Sequence, residues 1–365
     1  MVDWTRKSLG GIGRFVSHQV KLLSVSSAVP PNMINQRDVA KVAHDAFSAR
    51  FDDFDRLVKV FESSGILRRY LVQPLDWYLQ PLGWSERNAA YLDGACALFV
   101  AAAAKALAAA GLSGDEVDTV VTVSSTGLAA PGIDARVAET LGFRSDIERI
   151  PVFGLGCAGG VTGLGLGARL AQSRPGSIVL VVAVELCSVA FRMDKLTKEN
   201  IVATALFGDG SAACVLRAGE GGLARVEISG QHTWPGTLDI MGWSVDDTGL
   251  GVIFDRAIPP FAEANIAPAV LGILARGKLG FGDIDRFACH PGGAKVITAL
   301  ERALSLEQGA LDHERSVLAD YGNMSAPTAL FVPERLMQAG LPPRTLLTAM
   351  GPGFTASCVS LQAAA

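Results

Sequence analysis

The chain has 365 residues, 49% of them hydrophobic and 19% charged, a balance that excludes a disordered polypeptide and leaves room for two core-bearing units or one large duplicated domain. A net charge of −4 without any basic stripe argues against a nucleic-acid partner. Six cysteines stand singly in apolar surroundings with no Cys-x-x-Cys or Cys/His spacing, so no metal site is expected and a reducing cytoplasm is the expected compartment.

Residues 1–20 read as an irregular arm carrying Trp4, several basic residues and Gly10-Gly11. A strand is predicted around Val20–Ser26, ending at Pro30-Pro31, with helical periodicity over Asp38–Ser64 and again over Asn88–Ala110, which Gly111 closes. Arg56, Lys59, Arg68 and Arg69 cluster here and suit a small anionic ligand. Val117–Ser125 is β-rich, Ile133–Leu141 reads as a helix, Arg149–Phe153 as a strand, Val161–Gln172 as a helix and Ser177–Glu185 as a buried strand. The apolar runs Ile178–Val184 and Ala97–Ala104 fall short of the ~18–20 residues that cross a bilayer, so no membrane span is expected. Leu216–Gly222 reads as a hinge. Beyond it Leu223–Ser229 starts a second series: strand Ile284–Cys289, helices Gly293–Leu304 and Ala326–Ala339, and strands Thr345–Ala349 and Ala356–Leu361. Strands alternating with helices predict an α/β layered fold with weak internal duplication.

Three glycine-flanked junctions each carry one polar side chain, and in α/β folds such junctions line the ligand crevice. The first is Gly154-Leu155-Gly156-Cys157-Ala158-Gly159-Gly160, a thiol between strand and helix, where the macrodipole favours thiolate. The second is Cys289-His290-Pro291-Gly292-Gly293, and the third Tyr321-Gly322-Asn323-Met324-Ser325. Singly, a buried Cys is a small hydrophobe, a His a core residue and an Asn a cap. Together they are the nucleophile, proton acceptor and oxyanion donor of thiol acyl transfer. Gly154-x-Gly156-x-x-Gly159 also matches a dinucleotide fingerprint, but a Cys occupies its turn and the nearest suitable acid is Glu185, so nicotinamide and flavin are discounted. Asp209, between two glycines, reads as a turn residue. Cys96, Cys214, Cys289 and Cys358 read as inert core, and His18, His44, His232 and His313 as surface or structural residues.

The motifs GCAGG at 156–160, LFGDGSAA at 206–213, CHPGG at 289–293, YGNMS at 321–325 and GPGFT at 351–355 resemble the thiolase superfamily and, within it, the type III polyketide synthases of the chalcone-synthase kind, from about Arg56 to Leu361. The resemblance implies a thiolase-like duplicated αβαβα fold with mixed sheets, an N-terminal half over 21–220 holding the nucleophile and a C-terminal half over 221–365 holding His and Asn. It implies that Cys157 carries the acyl chain as a thioester, that His290 pairs with it, and that His290 and Asn323 polarise the malonyl thioester during decarboxylation. Phe207 falls at the gatekeeper position, Arg56 and Lys59 at CoA-phosphate contacts, and Gly351, Pro352 and Gly353 on a loop shaping the pocket. Acyl-CoA and malonyl-CoA are the implied substrates, a homodimer the implied assembly, and no further cofactor is implied.

The chain departs from the plant pattern in several places. Ser63 replaces the third basic CoA contact, and Ala349-Met350 replaces Gly-Phe before the GPG loop. Val252 stands at the second Phe gatekeeper, Cys187 at a Thr position, and Ala130, in the loop from Ser125, at a larger residue. Ala and Val open volume, and Cys gives a softer, more apolar lining. Met241-Gly242-Trp243, with Asp246-Asp247 nearby, resembles bacterial members that make alkylresorcinols or alkylpyrones, so a fatty acyl-CoA starter is expected. A carrier-protein-dependent ketoacyl synthase and a non-catalytic thiolase-fold protein remain the alternatives. Starter length, the number of extensions and the mode of ring closure depend on pocket volume and stay open.

Overall fold

The computed structural model describes residues 19–48, 54–192 and 197–364, with the side chains at 46–47 and 54–57 also outside the description. The arm expected over 1–20 therefore lies almost wholly outside the described residues.

The chain opens with β1 (Val20–Ala28), β2 (Asn32–Asn35), α1 (Gln36–Phe47), α2 (Phe54–Ser63), β3 (Arg68–Leu71), α3 (Leu75–Tyr78) and the long α4 (Trp84–Ala110). It continues through β4 (Thr119–Val123), the short α5 (Ile133–Arg136) and α6 (Ala138–Leu141), β5 (Glu148–Val152), α7 (Gly159–Ser173), β6 (Ile178–Leu186), α8 (Lys198–Leu206) and β7 (Asp209–Ala218). Then come β8 (Ala224–Thr233), the hairpin β9 (Met241–Asp246) and β10 (Gly249–Phe254), α9 (Ile258–Ala275) and β11 (Arg286–Cys289). The last elements are α10 (Ala294–Ala303), α11 (Asp312–Tyr321), α12 (Thr328–Ala339), β12 (Arg344–Gly351) and β13 (Thr355–Ala363).

Nine strands form one mixed sheet in the order β11-β12-β13-β8-β1-β7-β6-β4-β5. β4 runs parallel to β5 and β6, and β11 parallel to β12, while the other pairings are antiparallel. The expected α/β layered fold is the one observed. α4 covers β1, β6 and β7 from one side. α9 packs on β8 and β13, with α10 behind it. Between these layers α7 touches β4, β6 and β7 as well as β8, β12 and β13, so the sheet wraps around it and α12. This explains the run of glycines in α7: a Cβ at Gly160 would collide with the Ala326 carbonyl, and one at Gly167 would stand 2.9 Å from Leu216. A helix covered on both sides has room only for small residues at such close approaches.

Three expectations are corrected. The helix expected over Asp38–Ser64 is two helices, α1 and α2. The hinge at Leu216–Gly222 is not one, because Leu216–Ala218 complete β7, and β1 pairs with both β7 and β8. The apolar run Ala97–Ala104 is only the middle of α4, and both α4 and α9 are long and apolar enough to cross a membrane by length and composition. In this fold α4 buries Tyr91, Ala95, Leu98, Phe99, Ala102 and Ala106 against the sheet. Each large apolar side chain so buried contributes about 1.5–3 kcal/mol.

Candidate active site

Cys157 lies in a tight turn, Gly156–Ala158, that leads directly into α7. Gly156 has φ +46, and a Cβ there would stand 2.7 Å from Pro352, so the turn admits only glycine. His290 follows β11, and its N–H donates to the Thr348 carbonyl of β12 at 2.8 Å. Asn323 bridges to Phe207, its N–H donating to the Leu206 carbonyl at 2.9 Å while Gly208 N–H donates to the Asn323 carbonyl at 2.9 Å. The three predicted junctions thus converge, and Cys157, His290 and Asn323 line one chamber.

The side chain of Asn323 is oriented by its neighbours. Its Oδ1 accepts the Ser325 N–H at 2.8 Å, and its Nδ2 donates to the Gly292 carbonyl at 3.1 Å. The second Nδ2 hydrogen remains for a ligand carbonyl. Cys157 Sγ lies 4.0 Å from Asn323 Oδ1. Ser325 holds φ +60, a left-handed conformation that a side-chain-bearing residue adopts at a cost of about 1–3 kcal/mol. Neither ring nitrogen of His290 has a hydrogen-bond partner, although the residue is buried. Burial pushes the Cys157 thiol up to about 11 and holds the His290 imidazole down at about 3. Burial thus acts against the thiolate that the helix end favours.

Cys157 separates two chambers. The first also holds Met241, Phe254, Ile258, Val296, Leu300 and Phe354, together with Ala349 and Met350, the pair that replaces Gly-Phe. The second is lined by Ser125, Thr126, Glu185, Cys187, Phe207, Trp243, Val252, Ser325 and Pro352. The GPG loop braces the cysteine turn: a Cβ at Gly351 would fall against the Leu155 carbonyl and 2.7 Å from the Ala158 nitrogen, and Pro352 presses on Gly156. Gly353 has φ +130. Ala130, expected in the pocket, is exposed and lines neither chamber.

The basic residues of the early region part company. Arg69 is buried and donates to the Thr204 and Phe207 carbonyls, each at 2.6 Å, so it is a brace. Arg68 pairs with Asp320 at 3.0 Å. Lys59 is exposed on α2, and the side chain of Arg56 lies outside the described residues. A wide cleft of about 890 Å³ shares Phe254, Ile258, Gly292 and Val296 with the Cys157–His290–Asn323 chamber, and Val60 and Ser63 of α2 line it. Lys198 of α8, Arg256 between β10 and α9, and Lys295 of α10 also line it, beside Glu199, Asp239 and Asp255, and their scatter along the chain is why no motif announces them.

Two buried carboxylates also escaped the sequence. Asp209 is no turn residue. It starts β7, fully buried, and accepts from Val72 N–H and Ser188 N–H, each at 2.8 Å. Glu185, weighed only as a cofactor-binding acid, sits in the buried strand β6 facing Cys157's second chamber. It accepts Ser125 N–H at 2.9 Å and the Thr126 hydroxyl at 2.8 Å. Burial pushes its carboxyl up to about 7 from an ordinary 4.5. Folding therefore takes up a proton between those values, and stability falls as pH rises through that window. Glu185→Gln is expected to flatten this slope in thermal melts taken from pH 4.5 to 7. An unchanged slope would refute the assignment.

The N-terminal domain of chalcone and stilbene synthases matches residues 15–220, and the C-terminal domain matches residues 225–364. A 1,3,6,8-tetrahydroxynaphthalene synthase of Streptomyces peucetius is 37% identical over 355 residues, covering 95% of this chain and 94% of its own. The Mycobacterium tuberculosis protein named alpha-pyrone synthesis polyketide synthase-like Pks18 is 30% identical, covering 91% of this chain and 88% of its own. The crystal structure of 1,3,6,8-tetrahydroxynaphthalene synthase from Streptomyces coelicolor superposes with a TM-score of 0.90 at 28% identity, covering 94% of this chain and 99% of that one. The chain belongs to the chalcone and stilbene synthase family and is an acyltransferase of the type III polyketide synthase class.

Proposed function

We propose that this enzyme primes Cys157 with a long-chain acyl-CoA, extends it with malonyl-CoA, and releases an alkylpyrone or alkylresorcinol. The observation that carries the starter assignment is a narrow apolar cavity of about 70 Å³ that shares Cys187, Phe207 and Val252 with the second Cys157 chamber. It runs to α1 and α3, where Val39, Val42, Ala43 and Leu75 line it, and so offers an acyl tail a path away from the reacting carbon. The relative whose name speaks of alpha-pyrone synthesis supports ring closure by lactonisation.

His290, with both ring nitrogens free, takes the Cys157 proton, and the thiolate attacks the starter thioester and expels CoA. Loss of CO₂ from malonyl-CoA places negative charge on the thioester oxygen, where the Asn323 amide and the His290 N–H donate to it. The resulting enolate carbon attacks the Cys157 thioester, which frees the thiolate for the next load. Arg56 and Lys59, with Lys198, Arg256 and Lys295 around the cleft, hold the CoA phosphates. No metal or further cofactor enters the cycle. The proposed homodimer is supported by exposed Phe153, 60% accessible just beyond the edge strand β5, and exposed Leu128, 56% accessible in the loop after β4.

Mass spectrometry of products from malonyl-CoA and a ladder of acyl-CoA starters, from acetyl to stearoyl, tests this reading. Medium and long starters are expected to be extended, and exclusive use of short or aromatic ones would overturn it. A second reading, a tetrahydroxynaphthalene product, is favoured by the 37% identity with the Streptomyces peucetius enzyme and predicts product from malonyl-CoA alone. Turnover of free CoA thioesters separates both readings from a carrier-protein-dependent synthase. Val252→Phe is expected to narrow the passage and lower kcat/KM for long starters at least about 10–200-fold, the range that one methylene decides in an apolar pocket. A folded variant with unchanged starter range would remove Val252 from the tail's path.

A further inference from the structure

Among the described residues Phe254 alone lines both Cys157 chambers and the wide cleft. Its ring meets Phe207 edge to face, with centroids 6.0 Å apart and planes at 83°. Both rings are mounted on fixed backbone. Phe207 is held by Arg69 and by its bridge to Asn323. Phe254 ends β10 opposite Met241 of β9, and Asp246, near the other end of that hairpin, pairs with Arg192 at 2.6 Å. Residues 252 and 254 are two apart on a strand and share a face. Val252 lines the apolar cavity as well as the cleft and the second chamber, whereas Phe254 lines the cleft and both reaction chambers but not the apolar cavity.

We propose that Phe254 is the second leaf of the gate between the CoA cleft and the reaction chambers, so that the aromatic ring lost at Val252 is supplied two residues further along the same strand face. The two jobs of one gatekeeper are then divided. Val252 leaves the passage to the tail cavity open, and Phe254, edge-on to Phe207, keeps solvent in the cleft away from the thioester and the enolate. The proposal rests on the polyketide-synthase chemistry of this site and not on the length of the starter.

The test measures CO₂ released per polyketide formed, using whichever starter the wild-type enzyme extends best. Phe254→Ala is expected to raise that ratio about threefold or more, because water then protonates the enolate or hydrolyses the thioester before condensation. Phe254→Leu keeps apolar bulk without the ring edge and is expected to raise it less. It also carries the test should the Ala variant fail to fold. Val252→Phe, by contrast, shifts the starter length. An unchanged ratio in a folded Phe254 variant overturns the proposal, as does a Phe254 variant that alters only starter length in the manner of Val252→Phe. A wild-type enzyme that rejects long starters yet keeps a low ratio sinks the tail reading and leaves the gate standing.

Discussion

Cys157→Ala is expected to abolish polyketide formation, by at least ~10⁴-fold, while malonyl-CoA still loses CO₂. The two half-reactions use different groups. Condensation needs a thioester on Cys157, but decarboxylation needs only donors aimed at the malonyl carbonyl. Asn323 is built as such a donor: its Oδ1 is taken by Ser325 N–H and one Nδ2 hydrogen by the Gly292 carbonyl, which turns the other hydrogen toward the chamber. Asn323→Ala removes it and is expected to lower decarboxylation roughly 10²–10³-fold, the usual effect of losing one preorganised oxyanion donor. Condensation falls with it. The two variants should therefore differ in their CO₂ release and agree in lacking product. Both are read by acetyl-CoA formation and product mass spectrometry beside a thermal melt. Polyketide made by Cys157→Ala would sink the nucleophile assignment.

The catalytic trio was legible because each member stands in a local glycine context that only a close approach or a sharp turn requires. Gly156 beside Cys157 is such a case, and Pro352 is the neighbour that enforces it. The strand β6 was legible because it is an apolar run broken only by Glu185. What stayed hidden depends on long-range placement. Glu185 reads as the polar end of a buried strand until Ser125 and Thr126, 60 and 59 positions away, arrive to satisfy it. Arg69 looked like part of a basic patch because its carbonyl partners, at Thr204 and Phe207, are more than a hundred residues distant. Phe254 was masked by its own neighbourhood. Its significance comes from the ring of Phe207 and from three cavities meeting, neither of which has a sequence period. The β9–β10 hairpin pairs only with itself, outside the large sheet, so no core alternation marks it.

Gly351→Ala tests how tightly the GPG loop and the cysteine turn are coupled. β12 ends at Gly351, and its Cα points at the turn that carries Cys157. An added methyl would press on the Leu155 carbonyl and stand 2.7 Å from the Ala158 nitrogen and 2.9 Å from its Cβ. All of these neighbours are close to the backbone of the turn itself, so no flexible side chain yields. Either β12 retreats or the turn moves. Overpacking of this kind costs roughly 1–3 kcal/mol. The functional loss should be larger than the stability loss implies, since a displacement near 1 Å in a reacting group costs about 10²-fold. The expected result is a folded enzyme with a lowered melting temperature and kcat reduced about a hundredfold. Decarboxylation should be less affected, because the Asn323 amide is held from Gly292 and Ser325, not from the GPG loop. If condensation and decarboxylation fell together, the methyl would be disturbing the whole chamber, and the specific brace between Gly351 and the Cys157 turn would have to be abandoned.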